Sequence, residues 1–234
     1  MILDKQFFDL SPLDLAMALL GKVLRHRYID PMARRSYWLA ARIIETEAYY
    51  RNEKGSHSSL GYSEKRKAMF MPAGTIYMYY ARGKDSLNFS ARGAGNAVLV
   101  KSAVPYIDAI SPQANVTVMQ ALNPMANGGT PRAEEKLCSG QTLLCTALGL
   151  KVSRWNQNEM DPDNFYLEDI GYKPNAVIQC TRLGIPKGRD EHLPNRFIDH
   201  AFARSATSNP LTKRKMVMAR DYRILTFSRG ASIL

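Results

Sequence analysis

Two carboxylates stand two residues apart near the end of a segment that has the composition of a β-strand. Residues 37–44 are rich in aromatic and branched side chains, and an extended chain would continue through Glu45, Glu47 and Tyr49. Because side chains alternate along a strand, these three are expected on one face. A carboxylate there can take a proton from a water molecule and activate it for attack. An ordinary structural glutamate at a strand end is the alternative interpretation.

Aromatic and cationic side chains that could work with a carboxylate lie further along the chain. His57 stands in a long polar loop over residues 51–67, and loops of that length often carry function. Tyr77 and Tyr79 alternate along a predicted strand and therefore point to the same side. Lys101 interrupts an apolar strand, where a charge needs a partner. The histidine, the tyrosines and the cation call for one common explanation.

The predicted elements place these groups on strands, a hairpin and loops. Ser11 caps the first helix and Gly21 ends it. Alternation over residues 75–90, interrupted by a turn at 82–85, predicts a β-hairpin with a basic tip. The other predicted elements are strands over residues 97–104 and 176–180, and a helix that Ser139 and Gly140 cap and that runs through Leu148 to Gly149.

Length and charge limit the classes of protein that this chain can represent. Its 234 residues suit a single domain over 1–234, and the composition is too apolar for disorder. A net charge of +11 and a pI near 9.6 favour a polyanionic partner. The excess is concentrated in residues 62–101 and 181–234, which are candidates for a nucleic-acid face. Residues 206–234 form a basic C-terminal tail that is a candidate for mobility.

Several other classes are disfavoured. The most apolar N-terminal run, residues 13–20, contains Asp14 and lacks a basic lead, so neither a membrane span nor a signal peptide is predicted, and we expect a cytosolic protein. Cys138, Cys145 and Cys180 form neither an even disulfide set nor a close ligand pair. We therefore expect no disulfide, no zinc and no other metal.

An ordered set of short motifs resembles one family, the alkyladenine (3-methyladenine) DNA glycosylases, over about residues 10–205. Each motif is weak alone, and the order and spacing make the set specific. The motifs are Ile44-Glu45-Thr46-Glu47-Ala48-Tyr49, His57, Met69-Phe70, Gly74-Thr75-Ile76-Tyr77-Met78-Tyr79, Asn88, Ala97-Val98-Leu99-Val100-Lys101, Leu137-Cys138-Ser139-Gly140, Leu144-Cys145, Ala147-Leu148, Arg182-Leu183-Gly184-Ile185 and Pro194-Asn195-Arg196-Phe197.

The resemblance implies a fold, an activity and a partner. The fold is a mixed α/β (α+β) single domain with a curved, largely antiparallel sheet, surrounding helices and a protruding hairpin that intercalates into DNA. The activity is monofunctional hydrolytic excision of alkylated purines, such as 3-methyladenine and 7-methylguanine, with hypoxanthine and ethenoadenine as further candidates, at the start of base excision repair. The implied partner is double-stranded DNA with alkylated bases. The protein would act as a monomer without a cofactor, in a bacterial-type cytoplasm or in a eukaryotic nucleus.

The resemblance also implies catalytic residues. Glu47 matches the carboxylate that activates a water for attack on the anomeric carbon of the deoxyribose. Lys101 stands where the human-type enzyme has an arginine that helps to hold this water, and it keeps the charge without the planar fork. The carbonyl of Leu183 corresponds to a backbone acceptor for the same water.

A base pocket and a DNA contact surface follow in the same way. Tyr49, His57 and Tyr79 match the stacking residues, Tyr77 adjoins them, and Asn88 matches a residue that excludes the extra amino group of guanine. The residues expected to contact DNA are Arg82, which replaces the family's tyrosine wedge, Lys84, Ser139, Gly140 and Arg182.

The chain departs from the family pattern at Arg82, at Lys101 and at Gln141-Thr142-Leu143, where relatives carry Pro, a small residue and Lys near a helix start that meets a phosphate. Arg82 and Lys101 are compatible with a DNA-binding relative that recognises distorted or damaged DNA and excises poorly. A bifunctional lyase that attacks the sugar through a lysine is supported only by the presence of lysines. Release of free base from damaged duplex DNA separates the first alternative from a glycosylase, and borohydride trapping on abasic DNA separates the second.

Overall fold

The computed structural model describes residues 1–126, 128 and 130–227, in which nine strands form one sheet with four α-helices packed around it. The strands are β1 (Val23–Asp30), β2 (Arg35–Tyr49), β3 (Ile76–Ala81), β4 (Lys84–Ser90), β5 (Ala97–Pro105), β6 (Phe165–Glu168), β7 (Ala176–Cys180), β8 (Arg196–Asp199) and β9 (Tyr222–Thr226). The helices are α1 (Pro12–Leu19), α2 (Ala114–Leu122), α3 (Gln141–Leu148) and α4 (Val152–Trp155).

The long strand β2 connects all parts of the sheet. Its first half pairs with β1, its second half pairs with β8, and β5 runs along its other side, always antiparallel. The strand order is β3-β4-β5-β2-β8-β7-β9, with β6 joined through β1. The sheet stays open, so the predicted mixed α+β single domain with an antiparallel sheet is confirmed.

Two irregularities in the pairing of β2 with β5 lie beside the glutamates. Ile43 pairs with Ala103 and Glu45 with Ser102, which leaves Ile44 as an extra residue on β2. The next pair joins Thr46 to Val100, which leaves Lys101 as an extra residue on β5. Bulges of this kind change the direction in which a side chain points and are common next to functional sites. The charge that interrupts β5 is therefore carried by a bulge rather than by a regular strand position.

Local signals explain where the helices begin and end, with one correction. Ser11 accepts a hydrogen bond from the backbone of Asp14 and so caps α1, as predicted. Gly21, at φ +85°, follows that helix, and a Cβ there would lie 2.5 Å from the ring of Tyr172. The prediction that Ser139 caps α3 is wrong: its hydroxyl donates to the carbonyl of Ala206, and no side chain caps the helix.

The chain after residue 206 also needs a correction. Tyr222–Thr226 form β9, which pairs antiparallel with β7 over five residues, so this part of the predicted mobile tail is held in the sheet by backbone hydrogen bonds. Residues 228–234, the rest of that tail, lie outside the described residues.

The cysteines and the helices can be compared with the expectations for disulfides and membrane spans. Cys138, Cys145 and Cys180 are buried free thiols. Within the described ranges, no helix is long and apolar enough to cross a membrane.

His26 is a buried histidine with both ring nitrogens in hydrogen-bond contact with neighbouring residues. His26 Nδ1 lies 2.7 Å from the carbonyl oxygen of Leu148, and Trp155 Nε1 donates to His26 Nε2 over 3.3 Å. A neutral ring that carries its proton on Nδ1 satisfies both contacts. If Nε2 of His26 were protonated, its N–H would face the N–H of Trp155, and neither group could accept a hydrogen bond. Burial, with a smaller contribution from the charge of Arg154, lowers the pKa of His26 to about 4.

This histidine predicts a pH dependence of stability. The pKa of His26 is about 4 in the folded protein and about 6.5 when unfolded, so the unfolded chain binds more protons between these pH values. The free energy of unfolding should therefore fall by about 3 kcal/mol as the pH drops from 6.5 to 4. Denaturant titrations across this range should show a shallower pH slope for His26→Gln than for the parent protein. Parallel slopes would contradict the assignment.

Candidate active site

A cavity of about 730 Å³ opens between the β3–β4 hairpin, the loop at residues 55–60, the start of α3 and the segment 183–189. Its lining includes most residues that the sequence singled out. These are Tyr49, His57, Tyr77, Tyr79, Arg82, Lys84, Asn88, Lys101, Gly140 and Leu183. The cavity thus brings together side chains from β2, β3, β4, β5 and two loops.

Three aromatic rings form one wall of the cavity. The ring centres of Tyr77 and Tyr79 are 5.6 Å apart with 27° between their planes, which confirms that the two side chains share a face. The ring of His57 meets Tyr79 edge-on at 4.6 Å, and its Nδ1 lies 2.9 Å from the hydroxyl of Tyr77. Burial, with the charges of Arg66 and Arg189, lowers the pKa of His57, so the ring is neutral at pH 7.

Glu47 is fully buried and does not itself line the cavity, but three residues that do line it, Tyr49, Lys101 and Leu183, contact its carboxylate. The hydroxyl of Tyr49 donates to its Oε2 over 2.7 Å, and the amide of Leu183 donates to its Oε1 over 3.2 Å. The ammonium of Lys101 lies 3.5 Å from the same Oε1. A buried carboxylate needs such donors and an opposite charge to stay ionised. Lys101 is therefore the expected buried cation, and Glu47 is its partner.

Tyr49 contacts both the cavity and the carboxylate of Glu47. Its ring lines the cavity, and its hydroxyl is bound to Glu47. Burial, and next the charge of Glu47, raise the pKa of Tyr49 well above its ordinary value. The phenol consequently stays protonated and keeps donating to the carboxylate.

Gln141, the first residue of α3, is a site residue that sequence reasoning did not select. Its Oε1 accepts a hydrogen bond from Lys101 over 3.0 Å, and its Nε2 lies 3.4 Å from the hydroxyl of Tyr79. The glutamine therefore connects the cation to the aromatic wall. A polar residue directly after Gly140, at a helix start expected to face the ligand, was the signal available in the sequence.

Asn88 occupies the cavity floor on β4. Its Nδ2 donates to the carbonyl oxygen of Tyr77 over 3.1 Å. That bond orients the amide, so Oδ1 is the end of the amide left for a ligand.

The hairpin tip stands at the cavity mouth. Arg82 and Gly83 have φ values of +52° and +78°, which is the two-residue turn with left-handed backbone at both positions. Arginine is strained there, because only glycine, asparagine and aspartate enter this region readily. Strain of this kind is typical of functional positions. Arg82 and Lys84 are both exposed.

Two of the predicted DNA-contact residues make hydrogen bonds within the protein. Ser139 is half-buried and its hydroxyl donates to the carbonyl of Ala206, and its contact with DNA stays a prediction. Arg182 is 4% exposed, and its Nη1 contacts the carboxylate of Glu53 and donates to the carbonyl of Ala48, so placing it on the DNA surface is wrong. Gly140 does line the cavity.

Glu45 belongs to a separate buried cluster. Its carboxylate pairs with Arg196 and accepts hydrogen bonds from Ser102 and Thr207. Neither Glu45 nor Glu47 lines the cavity; Glu47 bonds to the lining residues Tyr49, Lys101 and Leu183, whereas the partners of Glu45 lie outside the lining, which agrees with a structural role for Glu45. Across the residues that the structure describes, no group of three or more His, Cys, Asp or Glu side chains could hold a metal ion.

The fold and the cavity define a protein that can hold a planar, electron-poor ring against aromatic faces, beside a buried carboxylate and beneath a basic hairpin. Comparison with known proteins identifies the class. Residues 6–202 match the family model described as "Methylpurine-DNA glycosylase (MPG)". The chain belongs to the methylpurine-DNA glycosylase family, and the resemblance inferred from its motifs is confirmed.

Individual relatives agree with this family. A Pseudomonas aeruginosa protein named "Putative 3-methyladenine DNA glycosylase" is 58% identical over 95% of this chain and 90% of its own length. A Pseudomonas fluorescens protein of the same name is 59% identical over 94% and 91%. The mouse "DNA-3-methyladenine glycosylase" is 34% identical over 83% of this chain and 58% of its own length. The protein is thus a DNA repair glycosylase that acts on alkylated bases.

Proposed function

We propose that this protein draws alkylated purines such as 3-methyladenine and 7-methylguanine out of duplex DNA into the cavity and hydrolyses their N-glycosidic bond. One observation carries the proposal: a buried carboxylate, Glu47, is held by Tyr49, Lys101 and the Leu183 amide, three residues that also line an aromatic cavity. Hydrolysis at that place would leave an abasic site and start base excision repair.

Stacking supplies the energy that holds the extruded base. Unstacking and unpairing cost a few kcal/mol, and each aromatic platform returns about 1–3 kcal/mol. Tyr49, His57 and Tyr79 are the platforms that line the cavity. Because His57 is neutral at pH 7, it does not repel a cationic base, and the tyrosine faces attract one. The cavity would therefore favour alkylated, positively charged purines over normal ones.

Glu47 acts as the general base for a water molecule. The water oxygen forms a bond to the anomeric carbon, the bond to the purine nitrogen breaks with its electrons going to the base, and the proton of the water passes to Glu47. Lys101 lies within ion-pair distance of this carboxylate. Tyr49 donates to one of its oxygens and the Leu183 amide to the other, and these bonds fix its orientation.

The hairpin tip and the start of α3 supply the contacts with DNA. Arg82 is placed to fill the gap that the extruded base leaves, through stacking of its guanidinium and attraction to phosphates. Lys84 and the backbone at Gly140 adjoin it around the cavity mouth. The guanine-excluding role of Asn88 and the role of Leu183 as a water acceptor are parts of the same proposal.

A DNA-binding relative that excises poorly is the competing function, motivated by Arg82 and Lys101. Lys101 lies within ion-pair distance of Glu47, which supports excision over mere recognition. Monomeric action and a cytoplasmic location stay predictions from the sequence. Release of free base from alkylated or hypoxanthine-containing duplex DNA by the wild-type protein decides between the two functions.

The role of Glu47 predicts a separation of binding from excision. Glu47→Gln keeps the shape and the hydrogen bond with Tyr49 but cannot take a proton, so single-turnover excision should fall about a hundred- to ten-thousand-fold. Affinity for damaged duplex should persist. Glu168→Gln is the matched control, because that ion-paired glutamate contacts Arg25 far from the cavity. Near wild-type excision by Glu47→Gln would contradict the assignment of Glu47 as the general base.

The strained hairpin tip predicts a second separation. Arg82→Ala leaves the gap in the base stack unfilled, so the population of extruded base should drop strongly when extrusion costs a few kcal/mol. Arg82→Tyr should be tolerated, because an aromatic ring can fill the same gap. A fluorescent base analogue at the lesion position reports extrusion by its gain in emission. Equal extrusion by Arg82→Ala and the parent would show that Arg82 does not fill the gap, and Lys84 and Leu87 would be the next candidates.

A further inference from the structure

A guanidinium lies directly behind one of the cavity's aromatic platforms. The Cζ of Arg182 is 4.5 Å from the ring centre of Tyr49. Tyr49 lines the cavity, whereas Arg182 is buried and does not. The tyrosine ring therefore separates the guanidinium from the space that a ligand would occupy.

The guanidinium is only partly satisfied by hydrogen bonds. Its Nε and Nη2 are buried, and within the part of the chain that the structure describes neither has a hydrogen-bond partner. Buried donors without partners are rare in folded proteins, and each needs an explanation. The guanidinium carbon lies over the ring of Tyr49, and guanidinium groups stack well on aromatic faces. A salt bridge between Arg182 and Glu53 alone does not require the guanidinium to lie over an aromatic ring.

The remaining nitrogen ties two parts of the site together. Nη1 donates to the carbonyl of Ala48 over 2.8 Å and contacts the carboxylate of Glu53. Asn195 Nδ2 in turn donates to that carboxylate over 2.6 Å. Ala48 lies between Glu47 and Tyr49 on β2, and Arg182 directly precedes Leu183, whose amide donates to Glu47. One side chain thus fixes strand β2 and the 182–183 backbone at the carboxylate.

We propose that Arg182 is a positioning residue for excision: it supports the Tyr49 ring from behind as a platform for the base and holds the Leu183 amide on Glu47. Glu53 and Asn195 hold Arg182 in turn. This inference rests on the proposed function, because it assigns the support of the same site. A purely structural ion pair between Arg182 and Glu53 is the competing explanation.

Arg182→Lys tests the proposal, because lysine keeps the charge for Glu53 and loses the flat face behind Tyr49. Two duplexes are compared, one with 1,N6-ethenoadenine and one with a tetrahydrofuran abasic analogue that has no base to stack. We expect about a tenfold loss of affinity for the first, little change for the second, and about a tenfold slower single-turnover excision. Equal losses on both duplexes, or no loss on either, would overturn the proposal.

Two comparisons remove general destabilisation as an explanation. Arg25→Lys is the matched control, because Arg25 is an equally buried guanidinium paired with Asp108 and Glu168 away from the cavity. It should lower thermal stability without changing the ratio of the two affinities. In a Tyr49→Leu background, Arg182→Lys should change that ratio less than twofold, because no ring is left to support. Full additivity of the two substitutions would contradict the proposal.

A measurement without DNA separates this inference from the proposed function. The guanidinium protons of Arg182 should resonate upfield through the ring current of Tyr49, exchange slowly, and return to ordinary shifts in Tyr49→Leu. If Arg182→Lys fails to fold, Asn195→Ala, which loosens Glu53, should give the same selective loss in smaller degree. A wild-type protein that releases no base defeats the proposed function. A wild type that excises alongside an equally active Arg182→Lys variant defeats only the inference.

Discussion

The structure depends on supplying hydrogen-bond donors to one carboxylate that is withdrawn from the protein surface. Glu47 has no exposed surface, and a buried charge without partners is strongly unfavourable. Its donors come from three distant parts of the chain: Tyr49 on β2, Lys101 on β5 and the Leu183 amide. The fold brings β2, β5 and the backbone at Leu183 together around this carboxylate.

Strand β2 and its bulges make that arrangement possible. The strand pairs with three neighbours, so the residues near its end are fixed from both sides. Lys101 is the extra residue on β5 and faces the step from Glu45 to Thr46, directly after the point where β2 carries its own extra residue, Ile44. A second layer of support, from Arg182 to Glu53 and Asn195, lies behind Tyr49. In the proposed mechanism, recognition of the base by Tyr49 and activation of water by Glu47 would both lie at the end of β2.

Much of this site could be predicted from the sequence, because alternation and turn chemistry are local properties. The pairing of Tyr77 with Tyr79, the cap at Ser11 and the need of Lys101 for a partner all follow from neighbours in the chain. The burial of Arg182 could not be predicted, because its partner Glu53 is 129 residues away. The same holds for Ser139, whose hydroxyl goes to Ala206, and for β9, which depends on a free edge of β7. Basic residues look alike in a sequence whether they face DNA or a buried acid.

A crystal structure of the Glu47→Gln variant bound to a duplex that contains 1,N6-ethenoadenine tests the proposed site most directly. The damaged base should lie outside the helix, stacked on Tyr49 and against His57 and Tyr79, with its anomeric carbon separated from residue 47 by the space of one water molecule. A base that stays in the helix, or that binds away from the cavity with Tyr49 uncovered, would contradict the proposed site.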